Sequence, residues 1–173
     1  APPLRLAARR GLGELAVGLA FGPLAVAGTV YALTGSVSAA DFLVGVPIGL
    51  LTIAILWINQ FPDLESDKET GKINLVVVLG RSRARYGYLL LMLAAFGLAA
   101  YWTLVTGLFP VGALLILGGA PLAIGAIRTI MSEYRERSLV KANVATIQLH
   151  ALAGFLMAAG IFWSDSIARL LGM

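Results

Sequence analysis

Cysteine is absent from the 173 residues, and histidine occurs once, as His150. The first absence excludes disulfides and thiolate metal sites, and the second excludes a histidine cluster, so a metal bound here must take oxygen ligands. Charge is scarce as well. The 13 Lys and Arg and 9 Asp and Glu make up 13% of the chain, against 59% hydrophobic residues and a mean hydropathy of +0.88. Soluble domains carry about 25% charged residues, so this composition excludes that class and points to an integral membrane protein. Neither an internal repeat nor a low-complexity tract is present. The opening APPLRLAARR lacks an initiator Met and the apolar core that follows a basic start in a signal peptide, so the chain is expected to be a fragment or a processed product.

What the chain does have is long apolar runs. Five of them, roughly 12–33, 41–61, 86–107, 110–128 and 142–163, approach or exceed the ~20 residues a spanning helix needs. The expected fold is all-α, a polytopic transmembrane helix bundle forming one domain over residues 1–173. Gly22, Pro23, Pro47 and Pro121 within these runs predict kinks or close packing, because neighbouring helices can satisfy the carbonyls that proline frees. Small residues around Gly118 and Gly119, and from Ala158 to Gly160, predict close helix contacts within one chain or between chains.

The basic residues orient the bundle. Arg5, Arg9 and Arg10 precede the first run, Lys68, Lys72, Arg81, Arg83 and Arg85 fill the second connection, and Arg128, Arg135, Arg137 and Lys141 surround the fourth. All twelve fall on one side, and the other side has only Arg169. The positive-inside rule then makes the N-terminus, the 62–85 loop and the 129–141 loop cytoplasmic and puts the C-terminus outside. A bacterial or archaeal cell membrane is the expected location. The pI near 9.8 follows from this bias and calls for no nucleic acid partner.

The only substantial polar insert, residues 62–85, carries the chemistry. Asn59, Asp63 and Asp67 recur every four residues in NQFPDLESDKETGK, directly after the second apolar run. On a helix each step of four drifts by only ~40°, so the three polar heads would share a stripe while Glu65 faces away. Pro62 removes one helical hydrogen bond and makes that stripe approximate. Gly71 can release the helix and turn Lys72 back toward the carboxylates. Carboxylates one turn apart, an amide beside them and a lysine can together hold a hard divalent cation and the phosphate oxygens it bridges.

The segment Trp57 to Gly80, WINQFPDLESDKETGKINLVVVLG, resembles the second aspartate-rich motif of the UbiA-type intramembrane prenyltransferases. The opening APPLRLAARRGLGELAVGLAFGPLAVAG is similar to the segment that begins that family's second half, and the likeness is nearest the branch acting on 1,4-dihydroxy-2-naphthoate in menaquinone biosynthesis. The resemblance implies a bundle of about nine transmembrane helices, of which five are present here, around a cavity with two aspartate-rich loops. Each loop binds Mg2+, and the ions hold an isoprenyl diphosphate whose allylic cation is captured by an aromatic acceptor. By position, Asp63 and Asp67 would be the catalytic metal ligands, while Asn59 and Lys72 would serve the substrate, Lys72 by meeting the diphosphate. Where the family commonly has a basic residue and Thr after GK, this chain has Ile73 and Asn74. A prenyltransferase of this kind would need an N-terminal half bearing the other motif. The alternative is a non-catalytic membrane subunit that packs helices or cofactors within a larger complex. A homogentisate-like phenol, a chlorophyllide or a lipid glycerol ether remains open as the acceptor.

Other polar residues have structural readings. Arg81, Arg83 and Arg85 are expected to anchor the third run at lipid headgroups. Glu14 is expected to face inward with a polar partner such as Arg9 or Arg10. Asn143, Gln148 and His150 are read as interhelical hydrogen-bonding groups, and Ser132 to Arg137 as a solvated segment.

Overall fold

The computed structural model describes residues 10–172; Arg5 and Arg9 lie outside the described residues. Helices dominate, and among the described residues there is no strand. Five helical segments are long and apolar enough to cross a membrane: Leu12–Thr34, Ala39–Asn59, Leu75–Leu104, Val111–Glu133 and Val140–Phe162.

The breaks within these spans follow from the sequence. The first is α1 (Leu12–Phe21) and α2 (Pro23–Thr34), divided at Gly22 where Pro23 cannot donate to the preceding turn. The second is α3 (Ala39–Val44), opened by a Ser38–Asp41 capping box, and α4 (Val46–Asn59), which carries Pro47 in its first turn. Short α5 (Leu64–Glu69) lies in the connection to α6 (Leu75–Leu104). The fourth span enters through a 3-10 run, Val111–Gly119, and continues as α7 (Ala120–Glu133). The fifth is α8 (Val140–Phe162), and α9 (Ser164–Leu170) follows it.

The third span is where the hydropathy reading differs. Its helix begins at Leu75 rather than near residue 86, because the Asn74 side chain accepts from Val77 N at 2.8 Å and caps it. Gly80, at φ +70, bends the helix just before the three arginines, so one element contains both the apolar LVVVLG and the basic stretch.

Helix α4 sits centrally, packed against α1, α6 and α8. Its contacts rely on small residues. At Gly18, Gly22, Gly45 and Gly49 the backbones of the first two spans touch, and a Cβ on Gly22 or Gly45 would collide with the opposite main chain. Gly112 and Gly160 meet in the same way, joining the 3-10 run to α8. Of the small-residue runs read from sequence, Gly119 and Gly160 pack within this chain, whereas Gly118 and Ala158 are exposed. Trp57 crosses from α4 to α6 and donates from Nε1 to Ala84 O at 2.9 Å. Large apolar side chains such as Leu90, Leu93, Phe155 and Phe162 point outward, as suits a surface facing lipid tails.

Polar pairs join the spans in the interior. Tyr88 and Thr146 are both fully buried, with their hydroxyl oxygens 2.6 Å apart. Thr146 gives its one proton to Ala142 O, so Tyr88 is the donor to Thr146 Oγ1. Likewise Thr52 donates to Ile48 O, which leaves His150 Nε2 to donate to Thr52 Oγ1 across 3.0 Å. His150 is thus an interhelical hydrogen-bonding residue, and Asn143 is another through Asn59. Gln148 is exposed instead, since its position on α8 turns it away from the packed face.

Candidate active site

The expected stripe is split between two helices. Asn59 is the last residue of α4, and the turn through Pro62 ends that helix before Asp63 opens α5. Asp63 and Asp67 do lie one turn apart, with Asp67 N donating to Asp63 O at 2.8 Å. Asn59 faces α8, where its Oδ1 accepts from Asn143 Nδ2.

The two aspartates differ in their surroundings. Asp63 is exposed and free of a capping hydrogen bond, whereas Asp67 is buried at 7% exposure. Lys72 Nζ lies 3.1 Å from Asp67 Oδ1, and Asn74 Nδ2 donates to Asp67 Oδ2 at 2.6 Å. Gly71, at φ +71, makes this possible: it turns the chain so that Lys72 N also reaches Asp67 O, at 2.8 Å. An anion held by an ammonium and an amide is fixed in one orientation and keeps lone pairs for a further partner.

Beneath this loop lies the inward-facing carboxylate that was expected, with Gln60 as its polar side-chain partner among the described residues; Arg9 lies outside them. Glu14, on α1 and only 3% exposed, accepts on Oε1 from Gln60 Nε2 at 3.1 Å and from Leu75 N at 3.0 Å. Leu75 N is one of the first amides of α6, which no intrahelical carbonyl can satisfy, so a carboxylate there both caps the helix and suits its dipole. Glu14 thereby joins the start of the first span, the end of the second and the start of the third. The roles of Asn74, read from sequence only as a departure from the family pattern, and of Gln60 escaped the sequence reading. An Asn directly before an apolar run is a recognisable cap signal, whereas nothing in the sequence marks Gln60.

The arginines are engaged within the protein. Arg81 Nε donates to Phe61 O at 2.8 Å and its Nη1 lies 3.6 Å from Glu65. Arg85 donates to Met131 O at 2.8 Å, near the C-terminal end of α7, and lies over the rings of Tyr86 and Tyr134. Of the three expected headgroup anchors, Arg83 alone is exposed. Two cavities flank the loop. One of about 410 Å3 lies between the end of α4, Arg81 and the 134–143 segment, and one of about 330 Å3 lies between α1 and α4 with Lys72 at its edge.

Among the described residues no three His, Cys, Asp or Glu side chains converge as a closed metal cage. The donor pair of Asp63 and Asp67 is nonetheless all oxygen, which suits a cation that keeps several waters and completes its shell with phosphate.

Comparison with known proteins places the chain in a family. The model of the UbiA prenyltransferase family matches residues 3–141. The chain belongs to this family. Among curated relatives, the 1,4-dihydroxy-2-naphthoate octaprenyltransferase of Escherichia coli strain K12 is 33% identical over 155 residues, covering 90% of this chain and 50% of that protein. The 2-carboxy-1,4-naphthoquinone phytyltransferase of Synechocystis is 32% identical over 165 residues, covering 94% and 53%. The UbiA prenyltransferase domain-containing protein 1 of Mus musculus is 29% identical over 161 residues, covering 92% and 46%. The chain thus spans about half the length of the curated relatives it matches. No solved structure matches it significantly. As a UbiA-family chain with five spanning helices it is an integral membrane protein, related most visibly to the menaquinone branch.

Proposed function

We propose that this UbiA-family chain supplies one jaw of a prenyl-transfer site, which moves an isoprenyl group from a polyprenyl diphosphate to an aromatic acceptor, 1,4-dihydroxy-2-naphthoate. The observation that carries the reading is the Asp63–Asp67 turn at the end of a membrane span, with Lys72 folded back onto Asp67. The name of the Escherichia coli relative, a 1,4-dihydroxy-2-naphthoate octaprenyltransferase, supports the acceptor. Helices beyond those described here, in the same polypeptide or a partner, supply the opposing aspartates in this proposal. The positive-inside bias supports a cytoplasmic loop.

Asp63 and Asp67 would hold Mg2+, while Asn59, bonded to Asn143, would brace the end of α4 beside them; the ion would supply charge neutralisation for the departing diphosphate. Asp63 presents an exposed carboxylate, and Asp67 is held rigidly so that little reorganisation is needed when the substrate arrives. Lys72 has three donors and uses one on Asp67, which leaves N–H groups for diphosphate oxygens as negative charge gathers there. The apolar faces of α1 and α4 exclude water from the reacting carbon.

The test uses the complete enzyme in membranes, supplied with 1,4-dihydroxy-2-naphthoate, a polyprenyl diphosphate and Mg2+. Transfer should be abolished by Asp63→Ala and by Asp67→Ala. Wild-type turnover in both variants would sink the proposal, and absence of transfer by the unmodified complete protein would favour a helix-packing subunit.

A further inference from the structure

The cavity between α1 and α4 has an apolar body and a polar end. Val17, Phe21 and Leu56 line the body, while Glu14, Gln60 and Lys72 stand at the end. Gln60 is 4% exposed, and its amide is only half satisfied: Nε2 donates to Glu14, whereas the buried Oε1 has no hydrogen-bond partner among the described residues. A buried acceptor without a donor costs stability, and leucine at this position would avoid that cost.

We infer that Gln60, Glu14 and Lys72 form the recognition end of a binding site for the hydroxyl-bearing ring of the aromatic acceptor. This inference rests on the proposed prenyl transfer and names the residues that select its acceptor. The orphan oxygen decides the ligand class. At neutral pH the diphosphate end of a prenyl donor offers acceptor oxygens, and its tail offers no polar group, so neither satisfies Gln60 Oε1. A phenolic O–H does. Lys72 at the edge carries three N–H donors, so beside Asp67 and the diphosphate it can also meet a single ring carboxylate. The cavity, at about 330 Å3, is in the range of small-molecule sites and suits a flat apolar ring system.

The experiment uses the complete enzyme and measures binding without prenyl donor, under reducing conditions, for 1,4-dihydroxy-2-naphthoate and for 2-naphthoate, which lacks both hydroxyls. Wild type should prefer the dihydroxy compound by about 10-fold or more, because a site with a buried acceptor rejects a ligand that leaves it unpaired. In Gln60→Met most of that preference should vanish, and in turnover KM for the acceptor should rise while KM for the prenyl diphosphate holds. Equal binding of the two probes by wild type, or an undiminished preference in Gln60→Met, overturns the inference. Should Gln60→Met fail to accumulate, Val17→Phe fills the cavity without touching the amide. It should weaken acceptor binding about 10-fold, and unchanged affinity overturns the assignment. Failure of the transfer proposal reads differently: wild type would then transfer no prenyl group whatever the binding preference.

Discussion

Asn74 holds Asp67 and starts a membrane span with the same side chain: Nδ2 donates to Asp67 Oδ2 at 2.6 Å, and Oδ1 accepts from Val77 N at 2.8 Å. The position of the candidate ligand is thereby tied to the first turn of α6. Any shift of that turn moves Asp67, and loss of Asp67 frees the amide nitrogen of the capping side chain while the cap bond to Val77 N stays.

Replacing Asn74 separates these roles. Asn74→Ala removes a cap worth about 1 kcal/mol and a hydrogen bond to a charged group worth about 1.5–3 kcal/mol, so a loss of about 2–4 kcal/mol is expected. Asn74→Ser retains a capping oxygen but is too short for Asp67, and should recover only about 1 kcal/mol of it. Reversible unfolding of the purified protein in mixed micelles measures both. Equal stability of the two variants would mean that the cap contributes nothing.

A second prediction compares packing with hydrogen bonding inside the bundle. Tyr88→Phe deletes one buried interhelical hydrogen bond, which in membranes is worth about 0.6 kcal/mol and at most about 1.7. Gly160→Ala instead forces a methyl group into the Gly112 carbonyl, where neither backbone can move without displacing its helix. Overpacking of that kind costs about 1–3 kcal/mol, so Gly160→Ala should be the more damaging in the same unfolding measurement. The reverse order would show that polar pairs, not close backbone contact, hold α8 in place.

The fold was legible because spanning helices announce themselves by length and hydropathy, with the positive charges marking one side. The start of α6 was not, since apolar periodicity ran out at the arginines and only the Asn74 cap places the helix end at Leu75. At the site, Asp63, Asp67 and the returning Lys72 were readable from four-residue spacing and one glycine. The stripe failed at Asn59 because Pro62 ends α4, turning that amide toward Asn143 on a helix 84 residues away in sequence. Glu14 was rightly expected to face inward. Its partners, Gln60 and Leu75 N, come from 46 and 61 residues along the chain, and no local pattern encodes such a meeting.

The unequal burial of the two aspartates leads to the last prediction. Asp63 is exposed and makes no capping hydrogen bond, so Asp63→Ala should alter stability by no more than about 0.5 kcal/mol. Asp67→Ala strips partners from Lys72 and from Asn74, the second of which is 1% exposed, and should cost about 1–3 kcal/mol. If both residues also serve the reaction, the two variants lose transfer alike while only one loses stability. Measuring unfolding and turnover on the same preparations distinguishes a residue that acts on substrate from one that also holds the loop. Equal stability of the two variants would show that the Lys72 and Asn74 contacts do not anchor Asp67, and its rigidity would then need another source.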